Sequence, residues 1–163
     1  MLHDAFALAD DGPVVIRYPK GAARHSSVVG TGLHALRLAE GDGSVAILAV
    51  GKMVGAAEKA VADLAEAGVK ATLWDVRSCA PLDPAMIADA ARHRAVLTVE
   101  DGFREGGIGL SALDAIRHAG FTGAAEALGV PTRFIPHNKP DAILSSFGLD
   151  AAGIMSSARS LLA

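Results

Sequence analysis

The chain has 163 residues, 51% hydrophobic but only 4% aromatic, and a formal net charge of −3. That length suits one domain with a short appendage, and a core of Ala, Val, Leu and Ile with 18 glycines favours packed helix–sheet layers over an all-β sandwich. The balanced charge offers no basic stripe for nucleic acid and no polybasic run for an anionic membrane. No apolar stretch reaches the roughly 18 residues needed to span a bilayer. The lone Cys79 excludes an intramolecular disulfide framework and fits a reducing compartment. Met1-Leu2-His3-Asp4 lacks a basic segment followed by an apolar one, so no signal peptide is expected and the cytoplasm is the default location.

Residues 1–10 place Leu2, Phe6 and Leu8 near helical spacing, and Asp10-Asp11-Gly12 closes them. The run GPVVIRYPKG follows, a β-branched strand ending in Arg17, Tyr18 and a Pro19-Lys20-Gly21 turn. One helix and one strand cannot bury their own apolar faces. Residues 1–21 therefore read as the tail of a domain that begins upstream, residues 22–30 as a polar linker, and residues 31–163 as a second domain. An apolar patch is expected to stay exposed on that tail.

In the second domain, residues 32–41 allow a strand, and Val45–Val50 reads as a buried parallel strand. An alanine-rich helix spans 54–67, and Gly68 caps it. A strand is expected over 69–76. Asp83-Pro84 then opens a helix to about His93, with Asp at the N-cap and Pro in the first turn. Ala95–Val99 is the third apolar strand, and a helix to Ala119 follows the Gly106-Gly107-Ile108-Gly109 turn. Segments 125–129 and 132–135 can complete the sheet, with helices near 139–147 and 151–162. Strand–helix alternation with short connections implies α/β layers around a mostly parallel sheet.

Three constellations carry chemistry. The Gly106–Gly109 turn could cradle a phosphate at a helix start, but it lacks both the dinucleotide spacing and a Walker lysine. Close packing of the helix on the sheet is the better reading. Glu100 and Asp101, at the end of a strand, could do acid–base work, although a hydrogen-bonded contact suits paired carboxylates better. Arg17, before a rigid turn, could present a fixed guanidinium to a phosphate or form an interdomain salt bridge. The residues alone leave both open. The six histidines form no HxH or HxxxH, so no metal site is expected, and no nucleophile motif is present.

The ordered set GPVVIRYPKG, VAILAVGKMV, WDVRSCAPLD, LTVEDGFREGGIG and LGVPTRFIPHNKPDAILSSFGLDAAGI resembles the C-terminal third of the 1-deoxy-D-xylulose-5-phosphate synthases. These are transketolase-like thiamine diphosphate enzymes. RYPKG and FIPH…FGLDAAGI set the resemblance apart from ordinary transketolases and from pyruvate dehydrogenase β-subunits. Two departures stand out: Ser78-Cys79-Ala80 replaces bulkier, more basic residues, and Leu110 stands where serine is common.

The resemblance implies an α/β fold like the transketolase C-terminal domain, with a mostly parallel mixed five-stranded sheet and helices on both faces. It implies a transferase that condenses pyruvate with glyceraldehyde 3-phosphate for isoprenoid and thiamine synthesis. Thiamine diphosphate and Mg2+ would be bound by domains upstream of residue 1, with no cofactor, metal or catalytic residue in this chain. It implies a homodimer in which residues 31–163 support the middle domain. The arginine matching Arg17 would bind the acceptor's phosphate, and Lys20 could add a point charge. On this reading the chain alone is inactive. The alternative is a free-standing, non-catalytic binding or dimerisation module of the same fold.

Overall fold

The computed structural model describes residues 2–8, 12–17 and 28–163. In chain order the elements are α1 (Leu2–Leu8), β1 (Leu36–Ala39), β2 (Val45–Ala49), α2 (Met53–Glu66), β3 (Thr72–Asp75), α3 (Pro84–Ala90), β4 (Ala95–Phe103), α4 (Ile108–His118), β5 (Ala124–Val130), α5 (Pro140–Ser146) and α6 (Ala151–Leu162). The five strands form one sheet in the order β1-β3-β2-β4-β5. β3, β2, β4 and β5 run parallel, and β1 is antiparallel to β3 at the edge. This is the mostly parallel mixed sheet expected from the sequence.

Central β2 explains the layering. Every residue of VAILA is buried, and alternate side chains serve opposite faces. Val45, Ile47 and Ala49 join Leu73, Leu97 and Val99 under α2 and α6, where Met53, Ala57, Ala60, Leu64, Ile154 and Ala158 are buried. Ala46 and Leu48 join Trp74 and Val96 under α3 and α4, where Met86, Ala90, Ala112 and Ile116 fill the second core. The core is aliphatic and two-sided, with helices on both faces.

The helix ends follow their local chemistry. Gly68 takes φ +83°, and bonds from Gly68 N to Ala65 O and Val69 N to Leu64 O close α2 in a Schellman turn. Asp83 caps α3 by accepting from Ala85 N at 2.8 Å, with Pro84 in the first turn.

One segment expected to complete the sheet does not, and the N-terminal segment pairs with no described strand of this chain. Residues 12–17 make no ladder, and Val15 is 91% exposed. A strand needs a neighbour, and residues 12–17 pair with none of the five described strands. Residues 132–135 also lie outside the sheet. β5 ends at Val130, Pro131 has no N–H to extend the ladder, and Phe134 is 94% exposed. The expectations for Asp10-Asp11, for Tyr18 and the Pro19-Lys20-Gly21 turn, and for the linker over 22–27 lie outside the described residues. No described helix is long and apolar enough to cross a membrane.

Candidate functional site at the strand ends

The chain leaves β2 through α2 toward β3, and leaves β4 through α4 toward β5 on the opposite side. β2 and β4 are neighbours, so the connections diverge from their carboxyl ends. Open α/β sheets place ligands in such a crevice. β4 projects past it, and its register with β5 shifts between Val99 and Phe103. Such irregularities re-aim side chains. The displaced residues include Glu100 and Asp101.

The two carboxylates have separate jobs. Glu100 is buried, and its Oε1 accepts from Gly109 N at 2.8 Å in the first turn of α4. It satisfies an orphan donor and complements the positive end of the helix. Asp101 points outward, and its Oδ1 accepts from Arg17 Nη1 at 3.4 Å. Asp101 is 20% exposed and the Arg17 side chain 73%. One long contact at a mostly exposed guanidinium leaves most of its donor edge available.

The glycine turn is not a phosphate cradle. A Cβ at Gly107 would lie 2.0 Å from Phe103 O and 2.3 Å from Glu100 Oε1, and one at Gly109 would lie 2.5 Å from Thr98 Oγ1. The glycines let α4 close onto β4 and around Glu100, as the packing reading expected. The position an incoming phosphate would occupy holds the chain's own carboxylate. These residues therefore do not fit the diphosphate of a bound cofactor. Among the described residues, no group of three His, Cys, Asp or Glu side chains could hold a metal ion.

Cys79 lies in the same neighbourhood but is not an activated thiol. Desolvation raises its pKa and Glu100 raises it further, while Arg17 opposes them. The thiol stays protonated at neutral pH.

Sequence reasoning missed the residues that tie the N-terminal segment down. Arg77 follows β3 at φ +54°, and its guanidinium donates to the carbonyls of Thr31 and His34. Asp83 does more than cap α3: its second oxygen accepts from Ala35 N at 2.8 Å. Burial works to raise the Asp83 pKa, but backbone donors from Ala85 and Ala35, with His34, outweigh it and hold it below the usual range. The sequence signal was slight: an arginine and an aspartate flanking a turn, with nothing to say which segment they would hold.

A family model for the transketolase C-terminal domain matches residues 34–154. The chain belongs to the transketolase C-terminal domain family. This transketolase C-terminal domain chain is 37% identical over 167 residues to a 1-deoxy-D-xylulose-5-phosphate synthase of Geobacter sulfurreducens, covering 96% of the chain and 26% of the relative. It is 41% identical over 150 residues to the 1-deoxy-D-xylulose-5-phosphate synthase of Bordetella parapertussis, covering 88% of the chain and 23% of the relative. The chain thus spans about a quarter of the length of these curated relatives, and the match falls on their C-terminal portion. Among solved structures, a split-gene transketolase described as an inactive β4 tetramer superposes with TM-score 0.76 at 25% identity, over 89% of this chain and 46% of that one. A Pichia stipitis transketolase matches at TM-score 0.57 and 17% identity, over 78% of this chain and 18% of that one, which speaks for the fold alone.

Proposed function

We propose that this chain is the C-terminal part of a 1-deoxy-D-xylulose-5-phosphate synthase and that Arg17 binds the phosphate of the acceptor substrate. In the whole enzyme, pyruvate and glyceraldehyde 3-phosphate are condensed with loss of carbon dioxide. Residues 1–21 close the middle domain, 22–30 link, and 31–163 form the supporting domain of a cytoplasmic homodimer. Thiamine diphosphate and Mg2+ belong to the upstream domains, and no step here is derived through them. The chain alone has no turnover. The similarity to synthases over nearly the whole chain supports this reading, as does the filled turn at the head of α4.

The observation that carries it is Arg17 itself. Its guanidinium stands 73% exposed at the switch crevice, engaged through one nitrogen by Asp101. A phosphate can take the remaining donors in charge-assisted, two-point contact, fixing the acceptor's orientation for carboligation.

The test is steady-state kinetics of the whole synthase containing this segment. Losing a charge-assisted hydrogen bond of about 1.5–3 kcal/mol should make R17Q raise KM for glyceraldehyde 3-phosphate about 10- to 150-fold, with KM for pyruvate nearly unchanged. Equal KM values in R17Q and the parent would reject the reading. The alternative of a non-catalytic binding or dimerisation module, for which the exposed Leu2, Phe6, Val15 and Val29 speak, is favoured instead if no synthase containing this segment turns over.

A further inference from the structure

Residues 12–17 pair with none of the described strands, so the direction of the Arg17 guanidinium is set by what its side chain meets. What it meets is Asp101, whose Oδ1 accepts from Arg17 Nη1 at 3.4 Å. The two partners are unequally placed. Arg17 is 73% exposed, whereas Asp101 is 20% exposed and makes no other side-chain hydrogen bond or ion pair among the described residues. Burial and then Glu100 raise the pKa of Cys79, and Arg17 lowers it, so the guanidinium lies within electrostatic reach of the β3–α3 connection as well as of the projecting end of β4.

That asymmetry decides how an anion can bind. A phosphate that displaced Asp101 from Arg17 would strand a mostly buried carboxylate without a cation, and taking one member from such a pair is costly. The guanidinium offers another way. It carries a rigid fork of N–H donors, and Asp101 engages only one of its nitrogens. The remaining edge can take a phosphate while Nη1 keeps the carboxylate, with the cation between the two anions. Glu100 cannot stand in for Asp101, because its Oε1 is held by Gly109 N in the first turn of α4.

We propose that Asp101 is a positioning residue for Arg17: it stays bonded to Nη1 and leaves the free edge of the guanidinium to the ligand, so that the arginine bridges carboxylate and phosphate. The proposal rests on the reading of Arg17 as a phosphate ligand. Asp101 itself touches no substrate. It acts through the guanidinium it holds, and the register shift in β4 is what re-aims it there.

The experiment uses the isotope-labelled chain with inorganic phosphate as probe, read by NMR at the Arg17 Nε–Hε signal, the Asp101 carboxyl carbon and the backbone amides. An ion pair with one exposed partner is weak, so D101A should raise the phosphate midpoint only about threefold. The Arg17 side chain should also gain fast motion, even without phosphate. D101N, whose amide oxygen can still accept from Nη1, should fall between D101A and the parent in both respects. In the parent at saturating phosphate, the Asp101 carboxyl signal should stay nearer its phosphate-free position than its position in R17Q, where the pair is broken. If D101A disturbs the amides of β4, this signal alone decides. Where R17Q weakens phosphate binding, a D101A midpoint at or below the parent's, unchanged Arg17 motion, or a parent carboxyl signal that moves to the R17Q position overturns the proposal. If R17Q binds phosphate as the parent does, the phosphate reading fails, and the hold of Asp101 on Arg17 then stands or falls on the motion of Arg17 in D101A and D101N.

Discussion

Glycine in this chain has opposite meanings at two helix positions. Gly107 is extended at φ −79°, so any L-residue could adopt its backbone, but a Cβ there would strike Phe103 O and the Glu100 carboxylate. Gly55, inside α2, has nothing within 4 Å of the same hypothetical atom. The two alanine substitutions should therefore differ in sign. G107A forces strand and helix apart and should cost about 1–3 kcal/mol or more, whereas G55A removes backbone entropy from the unfolded chain and should gain up to about 1 kcal/mol. Paired denaturant unfolding curves check this. A G107A midpoint at or above that of the parent would contradict the account of Glu100 as the occupant of the α4 head.

Two acids pin α3 between sheet and solvent. Asp83 caps it and holds Ala35, while Asp89 accepts from Trp74 Nε1 at 3.0 Å and from Arg92 Nη2 at 2.6 Å. Burial pushes the Asp89 pKa up, but Trp74 and Arg92 with His93 more than reverse it, so the group sits below its ordinary value, as Asp83 does. An acid whose pKa is lower folded than unfolded stabilises the fold above its unfolded value. That contribution disappears as pH falls from 3.8 through the lower folded value. Trp74 is the only tryptophan, so its fluorescence should report acid loosening of α3 below pH 3.8. D89N should flatten that acid-dependent change. A D89N profile superimposable on the parent's would show that Asp89 does not drive it. The α3 start was legible because Asp-Pro satisfies two local rules at once, and α2 because its alanine face and Gly68 agree. Residues 132–135 stay out of the sheet because an apolar run states a preference, but only an available neighbour makes a ladder; residues 12–17 likewise pair with none of the described strands.

Across the whole molecule, the sheet order and both cores follow from a few buried strands, and these were readable as continuous apolar runs. The site was less so. Arg17 was visible as an arginine at a segment end, but its contact with Asp101 joins residues far apart in sequence, as do the bonds from Arg77 to the carbonyls of Thr31 and His34. Periodicity reports which face of an element is buried, not which distant carbonyl a guanidinium will meet. The same geometry assigns this domain its share of the work. Among the described residues, its only glycine-rich helix start is closed by its own carboxylate, and Arg17 stands exposed beside Asp101 at the end of β4. A calorimetric titration of the chain with thiamine diphosphate and Mg2+ tests that division most directly. The account predicts no saturable heat from a chain whose far-UV spectrum remains that of a folded α/β protein; stoichiometric, tight binding would contradict it and place a cofactor site within these residues.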